Sequence, residues 1–280
     1  MPSKKTPIIK YLFDLHWDAQ KKSLSKDTMT LDDVQDAIRR FRTEFGIKLS
    51  DKNPANFMKD IVRGQNASNV WPAELTAKKY TAIQATGEGN VFQFVPFMKG
   101  QSEPFPDRFK PRAGLRTHSI SSVSVPLFAR DLGRADEPWL VQTAVNLGLL
   151  ETHFGVYSPL NVVQLTHLQM SVKLRKTEID ALFLAICRDS GNEKRVLITC
   201  EAKQARERIL EQQLIEQIEA AFDAVADVAS VVPVGLRAVK GKGFYLVEFK
   251  EIYRSKFKRT NSLLATNEIL YELKPSLKGI

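Results

Sequence analysis

No stretch of the chain approaches the roughly 18 consecutive apolar residues of a membrane-spanning helix. Cysteine is nearly missing as well, with Cys187 and Cys200 the two in 280 residues. The first absence predicts no association with a membrane, and the second excludes a disulfide framework. The four histidines, His16, His118, His153 and His167, are scattered and show neither H-E-x-x-H nor a Cys/His spacing for zinc. There is no G-x-S-x-G nucleophile elbow, no G-x-G-x-x-G dinucleotide loop and no G-x-x-x-x-G-K-[ST] phosphate loop. The opening MPSKKTPIIKYLFDLHWD is basic but lacks a clean apolar core and a small-residue cleavage site, so no signal peptide is expected. A cytoplasmic protein with two buried thiols is the expectation.

What is present is an ordinary globular balance, 43% hydrophobic and 26% charged, with an excess of positive charge of +9. Basic excess alone is a weak pointer to a polyanionic partner. Its distribution says more. From Lys240 to Ile280 nine Lys or Arg stand against four Glu, a surplus of five. Lys256, Lys258 and Arg259 crowd one stretch there with Tyr253 and Phe257, and should lie at a sheet edge where they could hold phosphates. A second basic stretch, QSEPFPDRFKPRAG, sets Arg108, Lys110 and Arg112 among Phe105 and Phe109. That mixture suits nucleic-acid contact, and equally a solvated proline-rich loop.

The first 75 residues read as helical. LDDVQDAIRRFRTEF has Leu31, Val34, Ala37, Ile38 and Phe41 at helical spacing, Thr30 as N-cap, Asp33 at the capping-box position and Gly46 as terminator. A second helix is expected from near Asn53-Pro54 to Gly64. The two form a packed amphipathic pair, with DNA contact the alternative. Residues 76–280 read as a mixed domain. NVFQFVPF alternates like a strand, and ADEPWLVQTAVNLGLLETHFG reads as one helix capped by Asp136, with Glu151 continuing its apolar line. Strands are expected near 178–187 and 195–202, then a helix in ARERILEQQLIEQIEAAFDAVA, then strands in VVPVGLRAV and GFYLVEFKEI. The whole is expected to be an α/β protein, a mixed sheet of about five strands flanked by helices.

The informative pair of strands is KTEIDALFLAICRDSGNEKRVLITCEAKQ. Side chains alternate along a strand, so Glu201 and Lys203 share a face, roughly 6.5 Å apart. Asp180 interrupts the apolar run of the first strand. In a hairpin closed near 189–194, Asp180 and Glu201 both lie at the open end and can approach one another. Two adjacent carboxylates repel unless a cation lies between them. Oxygen ligands with room for water and phosphate suit Mg²⁺, and a lysine two residues on is a candidate base for an attacking water. The plainer reading is solvated strand ends.

This arrangement resembles the PD-(D/E)XK nuclease superfamily, on Asp180 in TEID and Glu201-Ala202-Lys203 in CEAK, over about 50 residues. Ile179 stands where many members have proline. The resemblance implies that Asp180 and Glu201 bind Mg²⁺, that the Ala202 backbone carbonyl completes the shell, and that Lys203 orients or activates water. It also implies a glutamate from a preceding helix, with Glu151 the candidate and Glu137 its competitor. A glutamine from the following helix is a further possibility, from Gln213 or Gln217. Chain size, basic charge and a single core are most like a type II restriction endonuclease. That implies site-specific cleavage of double-stranded DNA with 5′-phosphate ends, a homodimer, and a cognate DNA methyltransferase as genetic partner. The alternatives are a repair or structure-specific nuclease of the same superfamily, and a non-catalytic DNA-binding protein.

Overall fold

A computed structural model describes residues 3–280, apart from 65, 66, 86, 88, 175, 176, 190, 260 and 261. The chain divides into two compact units, Met1–Asp107 and Arg108–Ile280. The boundary therefore falls 32 residues later than the expected one after residue 75. The reason is the pairing of the strands between.

In the first unit, helix α1 (Thr6–His16) leads into a short ribbon of β1 (Trp17–Asp18) and β2 (Ser23–Leu24). Strand β3 (Thr28–Thr30) follows, then helix α2 (Leu31–Phe45). The expected capping box is present. Thr30 Oγ1 accepts the Asp33 N–H at 3.3 Å, and Asp33 Oδ2 accepts the Thr30 N–H at 2.8 Å. Gly46 ends the helix in the left-handed region, φ 66°. The second expected helix shrinks to a 3₁₀ turn (Pro54–Asn56) and the five-residue α3 (Lys59–Arg63). Short helices α4 (Ala67–Val70) and α5 (Ala73–Ala77) precede β4 (Tyr80–Gln84) and β5 (Asn90–Pro96). Strand β5 pairs with both β3 and β4. β5 is the strand expected in NVFQFVPF, but its pairing with β3 ties it and β4 to the N-terminal unit, expected to be helical and to end at residue 75. An aromatic core of Phe13, Phe92, Phe94 and Trp71 fills it.

The second unit begins with β6 (Arg116–Ser121), followed by α6 (Leu127–Leu132), α7 (Glu137–Asn146) and α8 (Leu149–Val156). The expected single helix is broken because Gly148 takes φ 58°. Two long strands come next, β7 (Val162–Leu174) and β8 (Thr177–Asp189), then β9 (Asn192–Lys203). Helix α9 (Glu211–Ala224) carries the chain to β10 (Ser230–Val239). The chain closes with β11 (Gly243–Phe249), β12 (Ile252–Tyr253), a 3₁₀ turn (Arg254–Arg259) and β13 (Ala265–Lys274).

Among the described residues these strands form one mixed sheet of eight, ordered β6-β13-β11-β10-β9-β8-β7, with β12 beside β10. The class is as expected, and the sheet is larger than the five strands expected. β9 and β10 are parallel, β10 and β13 are each antiparallel to β11, and β13 and β6 are parallel. β7 and β9 are each antiparallel to β8, so five strands, β6, β13, β10, β9 and β7, run the same way and end at the same margin of the sheet. The central strands are buried on both faces, which is why β10 and β11 read as largely apolar runs, each interrupted by one charged residue, Arg237 and Glu248. One face packs Leu140, Leu150 and Phe154 of α7 and α8 against Phe183, Ile198 and Val234. The other packs Leu214, Ile218 and Phe222 of α9 against Leu197, Val231 and Val247. Among the described residues no helix is long and apolar enough to cross a membrane.

Candidate active site

The β8–β9 hairpin is paired without a break from Asp189↔Asn192 to Ala181↔Cys200. There the backbone ladder ends. One residue on, the Asp180 side chain takes over from it, and its Oδ2 accepts the Ala202 N–H at 2.7 Å. Asp180 and Glu201 thus stand side by side at the open end, as the strand periods predict.

Glu201 and Lys203 are each 3% exposed. Lys203 Nζ hydrogen-bonds and ion-pairs with Glu201 Oε1. The other carboxylate oxygen, Oε2, accepts from Nε2 of Gln217, which also donates to the Glu178 carbonyl at 3.1 Å. Both partners of that nitrogen are pure acceptors, so the amide's orientation is fixed. Of the two glutamines expected on α9, Gln217 is the one that reaches the carboxylate. Its Oε1 and the hydroxyl of Thr199 are buried without a hydrogen-bond partner.

Burial, and then the negative charge of Glu201, push the Asp180 carboxyl up to about 7; Lys203 and the Ala202 N–H oppose this, and Glu137 adds to it. Glu137 is the first residue of α7, behind the Asp136 cap, whose side chain accepts the Trp139 N–H at 3.0 Å. Glu137 also shares a hydrogen bond with Glu207, whose carboxyl is raised by burial and by that contact. The helix carboxylate whose charge bears on Asp180 is thus Glu137, a smaller influence than Glu201. Glu151 is exposed on α8, beyond the break at Gly148 that takes it off the line of α7.

Residues 204–210 cross the end of β9. Gln204 Nε2 donates to the Asp136 carbonyl at 2.7 Å, and Ile209 packs on Gly235 so closely that a Cβ there would lie 2.8 Å from Ile209 Cδ1. Gly235 is the neighbour of Glu201 on β10, and Arg237 is the neighbour of Lys203. Arg237 is buried, and its guanidinium donates to the Ala205 carbonyl at 3.2 Å. The sequence reading overlooked it. The signal was there, a charged residue inside the apolar run VVPVGLRAV.

The expected DNA-contact residues are differently disposed. Phe105 packs edge-on against Trp71 inside the first unit, and Phe109 against Phe249 inside the second, so neither ring is available to stack on a base. Arg108 pairs with Glu211 at 3.2 Å and Arg112 with Glu268 at 3.7 Å, while Lys110 is exposed. In the C-terminal stretch Lys256 and Lys258 are exposed, and the Arg259 side chain lies outside the described residues. That stretch follows β12, which pairs with the inner strand β10 and not at a sheet edge. Arg254 next to it is structural. It donates to the carbonyls of Phe222, Val225 and Val228 and closes the C-terminal end of α9.

Among the described residues no group of three or more His, Cys, Asp or Glu side chains forms a ready-made metal cage. Asp180 and Glu201 nevertheless fit a hard divalent cation in their donor chemistry. Two adjacent carboxylates, one raised by burial and then by the other's charge, gain from a shared cation. Comparison with family models, with curated proteins and with solved structures returns no match for this chain.

Proposed function

We propose that the second unit is a Mg²⁺-dependent phosphodiesterase acting on double-stranded DNA, in the manner of a type II restriction endonuclease. The observation that carries this reading is the meeting of Asp180 and Glu201 where the β8–β9 ladder ends, with Lys203 bound to the same carboxylate. Asp180, Glu201 and the Ala202 carbonyl would hold Mg²⁺, which when bound supplies stabilisation of the charge that develops on the phosphate. Gln217 orients the Glu201 carboxylate. Lys203, beside the same carboxylate, would orient the attacking water, and would receive its proton only as the neutral amine, after giving up its own proton to solvent. Arg237, beside it, supplies a second positive charge at the reacting end. Cutting both strands of a short site suits a two-fold dimer of roughly 63 kDa, twice the 31.6 kDa chain. A neighbouring DNA methyltransferase gene and a cytoplasmic location belong to the same reading.

A plasmid-nicking assay with and without Mg²⁺ tests it. Discrete fragments support a site-specific enzyme, a smear a general or structure-specific nuclease of the same chemistry. Binding without any cleavage would leave a DNA-binding protein. Light scattering reads the dimer directly.

A further inference from the structure

Helix α6 is turned inside out for a helix on a globular surface. Leu127, Phe128 and Leu132 are 69%, 82% and 76% exposed, and Val123 just before them is 70% exposed. Large apolar side chains gathered in one short exposed segment mark a binding surface more often than chance. The segment is also held firmly. Arg130 donates to the carbonyls of Val125 at 2.8 Å and Ser122 at 2.6 Å, and Ala129 packs inward on the core. Gly133, which follows, has no room for a side chain against the Lys278 carbonyl, 2.7 Å from where its Cβ would be.

Its place in the sheet gives the face a meaning. β6 runs parallel to β13, β10 and β9, so α6 leaves the sheet at the margin where Lys203 ends β9. Four residues past α6, the Asp136 carbonyl accepts from Gln204, the residue after Lys203. The apolar helix therefore lies on the same margin of the sheet as the candidate centre, four strands across from β9, and the chain that follows it returns to the centre at Asp136. Exposed cations lie near its ends. Arg134 follows it, Lys274 ends β13 opposite Ser121, and Lys278 Nζ reaches the Asp131 carbonyl at 3.2 Å; Asp131 is the exposed acid among them.

We propose that α6 is a wedge for duplex DNA, in which Phe128 and Leu132 enter a groove and unstack a base step while Arg134, Lys274 and Lys278 take the flanking phosphates. The inference rests on the nuclease reading of the neighbouring site. Apolar wedges rimmed by cations use this division of labour, unstacking offset by closer wrapping of the backbone. The occupant is a polyanion with apolar base faces, which matches both halves of the surface.

The test is a duplex carrying 2-aminopurine, titrated with the full chain in the absence of Mg²⁺. Wild-type protein is expected to raise the fluorescence several-fold on binding. Phe128→Ser/Leu132→Ser, whose positions lie outside the core, is expected to keep the wild-type melting temperature, lose the fluorescence rise and bind roughly tenfold or more weakly. Its salt dependence should be unaltered, because no charge is removed. Binding without a fluorescence rise, or a variant indistinguishable from wild type, overturns the proposal. So does a fall from dimer to monomer in the variant, which assigns the face to a second copy. Loss of binding to anionic vesicles with duplex binding intact assigns it to a lipid surface. Cleavage by wild type without unstacking leaves the nuclease reading standing and removes the wedge. Unstacking through α6 with no cleavage under Mg²⁺ does the reverse.

Discussion

Two carboxylates, Glu201 and Glu248, are buried in the same sheet, 3% and 1% exposed, and their surroundings differ in kind. Glu248 on β11 accepts from Ser158 Oγ at 2.6 Å, from the Asn267 amide at 3.2 Å, and meets His153 Nε2 at 3.0 Å. His153 Nδ1 meets the Tyr271 hydroxyl at 2.9 Å, and the Asn267 amide also donates to the Tyr157 carbonyl at 2.9 Å. Among the described residues no side chain of this circle leaves a buried nitrogen or oxygen without a partner. Burial pushes the Tyr271 hydroxyl far up, so it stays a neutral donor. The circle ties α8 and the chain beyond it to β11 and β13. Around Glu201 the circle does not close. Asp180 stands against it with a raised carboxyl, and Gln217 Oε1 and Thr199 Oγ1 have no partner. A closed polar circle serves the fold. An open one, at the end of a strand, is what the proposed Mg²⁺ site would complete.

The sharpest test of this contrast sets Glu201→Gln or Asp180→Asn against Glu248→Gln. The first two are expected to lower cleavage by about 10³-fold or more with the fold intact. Titration calorimetry should show weakened Mg²⁺ binding, while DNA binding persists. Glu248→Gln should cost about 2–4 kcal/mol of stability in denaturant titration and leave the cleavage rate of the folded fraction unchanged. If the outcomes are exchanged, the roles are exchanged. Next comes Lys203. Lys203→Ala should abolish cleavage and retain Mg²⁺ binding, and Lys203→Arg should not rescue it, because a guanidinium is no base near neutral pH. Full activity in the arginine variant would leave the lysine an electrostatic role alone.

A third measurement is stability against pH. The Asp180 carboxyl titrates near 7 in the folded protein against 3.8 ordinarily. The folded state therefore binds more protons than the unfolded one between those values, and stability falls as pH rises from about 4 to 7, by up to a few kcal/mol. Asp180→Asn should flatten that fall and be the more stable protein at pH 8, and Mg²⁺ should raise wild-type stability there. An identical pH profile for the variant would remove the electrostatic argument. The smallest effect concerns the C-terminal cations. Replacing Lys256, Lys258 and Arg259 by alanine should flatten the slope of log K against log salt by about 2 to 3 without moving the cleavage position.

Local chemistry was legible in the sequence wherever a period or a cap carried it. Thr30 and Asp33 declared the start of α2, and the alternation along β8 and β9 placed Asp180 beside Glu201. Legibility failed where tertiary pairing decided. Nothing local says that β5 pairs with Thr28–Thr30 on one side and with β4 on the other, so that both strands belong to the N-terminal unit. Gly148 looked like one tolerated glycine within a helix, yet its left-handed backbone breaks α7 from α8, and it is the charge of Glu137, not of Glu151, that adds to the raised Asp180 carboxyl. Phe105 and Phe109 looked like stacking partners because composition does not reveal direction.

Cys200 adjoins Glu201 on β9 and is 1% exposed. Burial, with the charges of Asp180 and Glu201, pushes its thiol well above the ordinary range. In the folded protein it should be unreactive, because the thiolate is the nucleophile and both its formation and its access are denied. Alkylation then requires an opening of β9 itself, one of the inner strands of the sheet. The rate at which an alkylating reagent consumes this sulfur becomes a clock built into the chain, one that times how often the strand carrying Glu201 and Lys203 leaves its neighbours.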